Sequence, residues 1–411
     1  MSDNYPQDMV DSGVSWLGQI PKQWELKKVK RLFKIQKRII GDEGPDILSI
    51  TQSGIKKKDT KSGDGQLAQN YSKYQIVEVG DFAMNHMDLL TGYIDVSPFY
   101  GVTSPDYRVF TLTAKEQVPK YYLYIFQQCY KQRIFFPLGR GSSQLGRWRL
   151  PSEVFNSFIL PVPPYQTQIK IVSYIDRETA RIDILIAEQE RLLALLEEKR
   201  RATITHAVRP TGDTTEERFR DICVLNPATR SDFKDDDIVG FYPMESIGDD
   251  GTIDHSQTRP YLVVKTGYTI FQNGDITVAK VTPCFENYKG AHMTGIASDV
   301  GFGTTELFVL RANGKVTPEY LYWLTQAQDF NNYLTGSMRG TGGLKRVVPE
   351  DLKNYKVDIP APEIQKKIVF KLQEDLKKFE LLKQKAVKQV DLLKERRTSL
   401  ILSAITGKAK V

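Results

Sequence analysis

The sequence has few of the residues that most often build disulfides and metal sites. Its 411 residues include four histidines and three cysteines, Cys129, Cys223 and Cys284. Because the cysteines are widely separated and odd in number, neither a disulfide framework nor a Cys-x-x-Cys metal site is expected. The histidines show no metal-ligand spacing. We therefore expect buried free thiols and no metal in this chain.

Long apolar runs and glycine-rich cofactor loops are also missing. No run reaches the roughly 18 apolar residues that a membrane helix needs, and the opening MSDNYPQDMVDSG is polar and acidic, unlike a signal peptide. The sequence contains no Gly-x-Gly-x-x-Gly loop for adenosylmethionine and no Walker A sequence for ATP. These absences predict a cytoplasmic protein that has no membrane partner and binds no cofactor itself.

Charge of neither sign dominates the composition. Lysine and arginine number 57 against 50 aspartate and glutamate residues, which gives a net charge of +7. This mild excess is compatible with a polyanionic partner but does not establish one, because an evenly spread excess is common in soluble proteins. The clustering of the cations therefore matters more than their number.

A long-period internal repeat is the clearest positive feature. The segment PPYQTQIKIV begins at Pro163 and PAPEIQKKIV begins at Pro360, a shift of 197 positions. The same shift pairs Ile204 with Ile401, so the register persists over about 45 residues without a gap. Proline before an apolar, periodic run is typical of a helix start. Each copy therefore ends in a helix of about 40 residues.

Looser similarities precede this helix in the same order in both copies. Gly80-Asp81-Phe82 resembles Gly274-Asp275-Ile276, PKYYLY from Pro119 resembles PEYLYW from Pro318, and GRGSSQLGRWRLP from Gly139 resembles MRGTGGLKRVVP from Met338. Chance similarity between helices would not explain these ordered landmarks. We predict a globular region at 1–163, a helix at 164–208, a second globular region at 209–361 and a second helix at 362–406.

Short apolar and β-branched runs, separated by Gly, Asp and Asn, predict strands in the globular regions. The runs are ILSITQ, YQIVEV, YRVFTL, YLVVKT and TELFVL. Residues 119–131 and 318–331 predict short amphipathic helices whose aromatic side chains lie in the core and do not stack on bases. Each region is therefore expected to be a mixed α/β module, and the chain belongs to the α/β (α+β) class.

Both long helices carry a narrow apolar seam with heptad spacing. The seam of the first helix contains Ile171, Ile175, Glu178, Ile182, Leu185, Gln189, Leu192, Leu196 and Lys199. The seam of the second contains Ile368, Leu372, Asp375, Phe379, Leu382, Ala386, Gln389, Leu393 and Arg396. We predict that the two helices, each about 60 Å long, pair as an antiparallel coiled coil and give the chain a pseudo-two-fold arrangement. Packing of each helix on its own globular region is the alternative.

Two short motifs resemble catalytic signatures but do not meet their requirements. Val162-Pro163-Pro164-Tyr165 resembles the [Asp/Asn/Ser]-Pro-Pro-[Tyr/Phe] signature of DNA amino-methyltransferases, but valine cannot accept a hydrogen bond from a target amino group. Asp46, Asp59 and Lys61 fit the loose pattern of metal-dependent nucleases, yet Asp59 and Lys61 lie in KKKDTKSGDG, which is typical of an exposed charged loop. We predict no catalytic residue in this chain.

Two basic, glycine-punctuated segments occur at matching places in the two halves. DNA binding needs cations for phosphates and short polar side chains for base edges. The candidate DNA-binding residues are Arg140, Ser142, Ser143, Gln144, Arg147 and Arg149 in the first half, and Arg339, Thr341, Lys345 and Arg346 in the second. A solvated surface loop would explain either segment alone. Lys56, Lys57, Lys58 and Lys61 form a cation cluster found in the first half only, which indicates a solvated loop.

The whole chain resembles the specificity subunits of type I restriction-modification systems. The matching segments are WLGQIP from Trp16 with Trp24-Glu25, Gly274-Asp275 through TPCFEN at Thr282, GFGTTE from Gly301, and both proline-to-helix junctions. The first half departs from this pattern, because GVTSPD from Gly101 stands where the second half has GFGTTE. We therefore expect the two halves to contact DNA with different loops.

The resemblance implies a sequence-specific subunit without catalytic activity. It implies two target-recognition domains that each read one half of a bipartite, asymmetric site in double-stranded DNA, with the helices as a spacer. It also implies two methyltransferase (modification) subunits as partners and, optionally, restriction subunits that translocate DNA. Adenosylmethionine, ATP and Mg²⁺ would then belong to those partner subunits. A self-contained DNA nuclease or methyltransferase, and a coiled-coil assembly protein without a DNA function, are the alternatives.

Overall fold

The structure is a computed structural model that describes residues 8–41, 44–58, 71–141, 148–210, 212–341 and 343–411. The described chain forms two compact units. Unit 1 comprises residues up to 188 together with those from 389 onward, and unit 2 comprises residues 189–388. Each long helix is therefore divided between the two units. Within the described residues, no helix combines the length and the apolar character that crossing a membrane requires.

The first half of the chain contains twelve named strands and three α-helices among its described residues. They are β1 (Met9–Asp11), β2 (Gln19–Pro21), β3 (Glu25–Lys28), β4 (Phe33–Gln36), β5 (Leu48–Thr51), β6 (Gly54–Lys57), β7 (Gln75–Val77), β8 (Phe82–Met84), β9 (Ile94–Val96), β10 (Gly101–Thr103), β11 (Arg108–Leu112), α1 (Pro119–Lys131), α2 (Ser152–Ser157), β12 (Ile159–Val162) and α3 (Tyr165–Ala207).

The second half repeats this order with additional short helices. Its described elements are β13 (Thr214–Arg218), α4 (Phe219–Ile222), β14 (Cys223–Leu225), β15 (Ile238–Tyr242), β16 (Thr258–Pro260), α5 (Tyr261–Val264), β17 (Thr269–Gln272), β18 (Ile276–Ala279), β19 (Gly290–His292), β20 (Val300–Gly303), β21 (Leu307–Ala312), α6 (Pro318–Thr325), α7 (Gln328–Ser337), β22 (Arg339–Thr341), β23 (Leu344–Arg346), α8 (Pro349–Asn354), β24 (Lys356–Pro360) and α9 (Pro362–Ile405).

Each unit contains a four-stranded antiparallel sheet with the same strand order. The order is β4-β11-β8-β9 in unit 1 and β14-β21-β18-β19 in unit 2. Phe110 pairs with Phe82 in the first sheet, and Leu310 pairs with Ile276 in the second. A second pair of strands, β12-β3 in unit 1 and β13-β24 in unit 2, leads directly into the long helix. The mixed α/β fold and its duplication are thus confirmed.

Aromatic side chains fill the cores of both units, as predicted for α1. In unit 1, Phe33 makes edge-on contacts with Phe82, Phe110 and Phe126, whose ring centroids lie 5.3 to 5.5 Å away. These side chains are buried, and such ring pairs add to the stabilisation that burial of apolar area provides. Tyr121 is fully buried as well, so the rings of α1 that face the sheet are core and not platforms for bases.

Two predicted elements differ in the structure. The run YLVVKT predicts a strand, but Tyr261–Val264 forms a helical turn that follows Pro260, closed by a hydrogen bond from Lys265 N to Tyr261 O. Local hydrogen bonding therefore outweighs the β-propensity of the two valines. Residues 318–331 predict one helix, but α6 ends at Thr325 and α7 begins at Gln328. Ala327 is extended, and Gln328 N donates to the Thr205 hydroxyl of α3.

One buried glutamine joins each long helix to its sheet. In unit 1, Gln168 Oε1 accepts from Val118 N at 2.9 Å, and Gln168 Nε2 donates to Pro163 O at 2.9 Å. In unit 2, Gln365 Oε1 accepts from Thr317 N at 2.8 Å, and its Nε2 donates to Pro360 O at 2.9 Å. Both glutamines are fully buried. The proline-to-helix junctions are thus the same structural device in both copies.

Segments of the two long helices meet within unit 1. Ile175 of α3 and Ile405 of α9 share one core, and Arg397 Nε donates to Asp183 Oδ1 at 2.8 Å. The order of these contacts along the two helices is opposite, so the segments are antiparallel there. The predicted seam is buried at Ile171, Ile182, Leu372, Ala386 and Leu393, but Leu185, Leu192 and Leu382 are exposed. Coiled-coil pairing along the whole seam therefore stays a prediction.

Candidate nucleic-acid interface

The basic, glycine-punctuated segment of the second half forms a β-hairpin. Strands β22 and β23 pair Arg339 with Arg346, Gly340 with Lys345, and Thr341 with Leu344. Because side chains alternate between the two faces of a strand, Arg339, Thr341 and Arg346 share one face and Lys345 lies on the other. All four candidate residues are exposed. We call residues 339–341 and 343–346 the unit 2 hairpin.

Gly340 is required by the close approach of the two strands. Its φ is +150°, and a Cβ atom at this position would lie 2.2 Å from Leu344 O and 2.9 Å from the Cα of Lys345. Any larger residue would push the strands apart. The sequence pattern assigns the glycines of this segment to a loop, and the structure gives Gly340 a role in forming the hairpin itself.

The segment that follows β18 anchors the unit 2 hairpin. Thr282 N donates to Lys345 O at 3.1 Å, and the Thr282 hydroxyl accepts from Lys345 N at 3.0 Å and donates to Gly343 O at 2.7 Å. Val347 N donates to Lys280 O at 2.8 Å. These bonds tie the hairpin to the rigid sheet, so its exposed cations are presented from a fixed backbone.

A carboxylate lies against one of the hairpin cations. Arg346 donates to Glu306 through Nη2 at 2.8 Å and through Nε at 3.3 Å. The hydrogen bond from Arg346 holds the pKa of Glu306 below its ordinary value, and the same bond raises the pKa of Arg346. Arg346 is therefore not an isolated cation. Arg339 and Lys345 make no side-chain ion pair with any residue that the structure describes.

The corresponding segment of unit 1 is attached to its sheet in the same way. Arg140 and Arg149 form an antiparallel bridge through two backbone hydrogen bonds, at 2.8 and 3.0 Å. Leu150 N donates to His86 O at 2.9 Å, which matches the bond from Val347 N to Lys280 O in unit 2. Both arginines are exposed. We call this pairing the unit 1 bridge. The candidates Ser142, Ser143, Gln144 and Arg147 lie outside the described residues.

Trp148 packs across the unit 1 bridge. Its Nε1 donates to Phe136 O at 2.5 Å, and a Cβ atom on Gly139 would come within 2.4 Å of that nitrogen. Gly139 is therefore needed to seat the indole ring. Arg149 Nε lies 2.9 Å from Met87 Sδ, so the neighbour of this arginine is a thioether and not a carboxylate.

Beneath the bridge lie a buried arginine and an uncharged histidine. Arg108 Nη2 donates to Leu150 O at 2.9 Å, and its guanidinium lies over the Phe155 ring at 4.6 Å from the centroid. Burial lowers the pKa of Arg108 to about 10, so it stays charged at neutral pH. Burial, together with the charges of Arg108 and Arg149, lowers the pKa of His86 to about 3. The positive field at this edge therefore comes from arginines.

The two motifs that resemble catalytic signatures lie at a helix entry and, for Asp46, in an ion pair. Val162 ends β12 and Tyr165 begins α3, so the Pro-Pro segment is the entry of the long helix. Asp46 forms an ion pair with Lys57 at 2.6 Å, whereas Asp59 and Lys61 lie outside the described residues. Among the residues that the structure describes, no three His, Cys, Asp or Glu side chains are grouped to hold a metal ion. Cys129 and Cys223 are buried free thiols, and Cys284 is partly exposed.

Both halves of this duplicated fold match one known protein family. Residues 21–194 and 213–389 each match the family described as the type I restriction modification DNA specificity domain. The chain belongs to this family. Its two specificity domains follow the two halves of the repeat, and both contain one of the basic segments described above.

Two curated relatives are specificity subunits from Escherichia coli. The specificity subunit of the type I restriction enzyme EcoAI is 32% identical over 173 residues, which cover 41% of this chain and 29% of that protein. The EcoEI specificity subunit is 34% identical over 152 residues, which cover 36% of this chain and 25% of that protein. The matched part is thus less than a third of each relative.

Solved structures share the fold of both specificity domains and both helices. A chain from a study of complex assembly and conformational transition of the type I R-M system superposes with a TM-score of 0.70 at 13% identity, over 95% of this chain and 99% of that one. The HsdS subunit from Thermoanaerobacter tengcongensis superposes with a TM-score of 0.52 at 15% identity, over 95% and 98% of the two chains. At these identities the likeness concerns the fold.

Sequence reasoning did not assign the residues that support the basic segments. Glu306 lies in GFGTTE and Thr282 lies in TPCFEN, two of the motifs that carry the family resemblance. The sequence alone does not indicate that either residue contacts the basic segment. The sequence assigns no role to His86, because the histidines show no metal-ligand spacing. The resemblance of GFGTTE and TPCFEN to the family could have drawn attention to Glu306 and Thr282. In the structure, both contact the basic segment of the second half.

Proposed function

We propose that this chain is the DNA-recognition subunit of a type I restriction-modification complex and reads a bipartite, asymmetric site in double-stranded DNA. One observation carries the proposal: each specificity domain presents exposed arginines on a β-bridge or hairpin, which is anchored at the equivalent place beside the four-stranded antiparallel sheet of its own unit. Unit 1 would read one half of the site with the segment around Arg140 and Arg149. Unit 2 would read the other half with Arg339, Thr341, Lys345 and Arg346.

A cationic β-hairpin is suited to this task. A two-stranded ribbon fits the major groove of B-form DNA, where each base pair shows a distinct pattern of donors and acceptors. Exposed arginines and lysines on the ribbon bind phosphates and fix its register. Because the bonds of Thr282 attach the unit 2 hairpin to its sheet, little conformational entropy would be lost when DNA binds.

Partner chains would supply the catalytic chemistry. We propose two methyltransferase subunits, which bind adenosylmethionine and methylate the site, and optional restriction subunits that use ATP and Mg²⁺. Support comes from the family and from the absence of a glycine-rich cofactor loop in the sequence. The long helices α3 and α9, whose central residues Leu185, Leu192 and Leu382 are exposed, would set the distance between the two half-sites.

Co-expression with the cognate methyltransferase subunit tests the proposal. Every methylated adenine in the host genome is then mapped. A single motif with two specific halves and a spacer of fixed length is expected. Methylation without such a motif, or methylation of the same motif when this chain is omitted, would refute it. The purified chain alone, incubated with DNA, Mg²⁺ and adenosylmethionine, should neither cleave nor methylate, and activity in that assay would favour a self-contained enzyme.

A further inference from the structure

Glu306 holds Arg346 along one edge of the guanidinium. Arginine carries five N–H donors in a planar fork. The carboxylate receives the hydrogen bonds from Nε and Nη2, at 3.3 and 2.8 Å. The adjacent edge, formed by Nη1 and Nη2, keeps two parallel N–H donors, one from each nitrogen, that no residue in the described part of the chain accepts.

The backbone fixes both partners of this pair against one segment. Lys280 N donates to Glu306 O at 3.0 Å, and Lys280 O accepts from Val347 N at 2.8 Å. Val281 forms an antiparallel bridge with Arg346 itself. Glu306 and Arg346 therefore flank the same two residues, and their relative position does not depend on two flexible side chains alone.

Stability alone does not account for this ion pair. The side chains of Arg346 and Glu306 are 50% and 32% exposed. Ion pairs with such access to solvent contribute little to folding, because water screens the charges and ordering of two long side chains costs entropy. The geometric effect of the pair is larger, since it restricts the guanidinium to one plane and one direction.

We propose that Glu306 and Arg346 act together as a guanine-reading pair in the half-site that unit 2 recognises. Arg346 donates from its free edge to O6 and N7 of a guanine in the major groove, and Glu306 is the positioning residue that aims it. Guanine is the only base that presents two adjacent acceptors in that groove, so two parallel donors select it. This inference rests on the proposed function.

Unit 1 provides an internal contrast. Arg149 has Met87 Sδ as its neighbour instead of a carboxylate. Asp106, which occupies the place of Glu306 in the motif GVTSPD, forms no ion pair with any described residue. An arginine that is not held in this way is suited to phosphate, which accepts from many directions. Arg149→Lys is therefore the matched control for Arg346→Lys.

The test uses the full chain in complex with its methyltransferase subunit. The methylated motif is determined first, and the affinity of the complex is then measured for duplexes in which each base pair of the unit 2 half-site is replaced in turn. Arg346→Lys and Glu306→Ala should each lose roughly tenfold or more of the discrimination for guanine at one and the same position. Binding of random-sequence duplex at the same salt concentration should change by less than about twofold. Arg149→Lys should leave this guanine position unchanged.

Three results would overturn the inference. Equal weakening of all duplexes by Arg346→Lys would make Arg346 a phosphate contact. Equal strengthening of all duplexes by Glu306→Ala would make Glu306 a competitor of the DNA. A unit 2 half-site without guanine would leave the pair nothing to read. If instead the wild-type complex shows no bipartite motif, the proposed function itself fails, so the two failures can be told apart.

Discussion

Unit 1 and unit 2 arrange their central sheets identically, as β4-β11-β8-β9 and β14-β21-β18-β19, and each attaches a long helix through one buried glutamine. Their second sheets differ. Unit 2 has the four-stranded sheet β16-β15-β20-β17, whereas in unit 1 the corresponding strands form the separate pairs β5-β6 and β10-β7, linked by a bridge between Ile47 and Val102. The parts that build the core and hold the helices are thus alike in the two units, whereas the second sheet is continuously paired only in unit 2.

Each unit has a buried aspartate in the equivalent turn before β8 or β18, but the two aspartates bind arginines from different strands or loops. Asp275 binds Arg311 through two hydrogen bonds at 2.7 Å and accepts from Gln272 N at 2.8 Å. Asp81 accepts from Glu78 N at 2.8 Å and makes a single contact with Arg38. Unit 2 thus has the more completely satisfied charge. This difference gives the prediction with the largest effect.

Asp275→Ala should destabilise unit 2 by about 3 kcal/mol, because it removes the charged partner of Arg311, which keeps only the Thr229 hydroxyl, and leaves Gln272 N without its acceptor. Asp81→Ala should destabilise unit 1 by a smaller amount. Urea denaturation measures the loss in the free energy of unfolding, and hydrogen exchange in the native state assigns this loss to unit 1 or unit 2. Asp235→Ala, which removes only an exposed ion pair with Lys265, is the control and should change stability by no more than about 0.5 kcal/mol. A larger effect of Asp81→Ala than of Asp275→Ala would contradict the comparison.

The glutamine at the helix entry should be equally important in both units. Gln168→Ala and Gln365→Ala each remove the acceptor for a backbone N–H and the donor for a buried carbonyl, so each should cost about 2 kcal/mol. The same hydrogen-exchange experiment assigns the loss to unit 1 or unit 2. Gln166→Ala, at an exposed position one half-turn away, should be neutral. A loss confined to one of the two variants would show that the junctions are not equivalent.

DNA affinity should depend on the basic segments of both units. Replacement of Arg140, Arg147 and Arg149 by alanine should weaken DNA binding and reduce the slope of log affinity against log salt by about 0.9 for each phosphate that is no longer neutralised. Replacement of Arg339 and Lys345 by alanine should act in the same way in unit 2. Titrations of duplex DNA at several salt concentrations measure the slope. An unchanged slope for one set would remove that segment from the interface.

The effect that is smallest at neutral pH concerns the pH dependence of unit 1. The pKa of His86 is lowered to about 3, whereas histidine in the unfolded chain titrates near 6.5. Between these values the unfolded state binds one more proton than the folded state, so stability falls as the pH decreases. His86→Asn should remove a loss that approaches about 1.4 kcal/mol per pH unit between pH 6 and pH 4. Denaturation midpoints across this range test it, and identical slopes for variant and wild type would contradict it.

Regular local patterns predicted much of the fold. Helix α1 is expected at 119–131 and spans Pro119–Lys131, since proline at its start and the spacing of its apolar residues are both local signals. The repeat likewise located α3 and α9. Local signals failed at Tyr261–Val264, where a helical turn formed despite β-branched residues. They also failed at the extended residue Ala327, after which Gln328 N donates to the Thr205 hydroxyl of α3, so that the predicted helix is divided in two.

The candidate site was only partly predictable for a related reason. The sequence marks Arg346 because it lies in a basic segment that is repeated, but its partner Glu306 is 40 positions away in sequence. Only the folded sheet brings these two side chains together. Similarly, no sequence pattern separates Lys345 from Arg339 and Arg346. The register of the hairpin places the two arginines on one face and Lys345 on the other.

The central claim is that two dissimilar readers on one duplicated scaffold recognise the two halves of a DNA site independently. Its most direct test is to replace residues 1–160 with those of a related chain, co-express the hybrid with the methyltransferase subunit, and map all methylated adenines. We predict that one half of the motif changes, while the other half and the spacer length stay the same. A change in both halves, or in neither, would contradict the account.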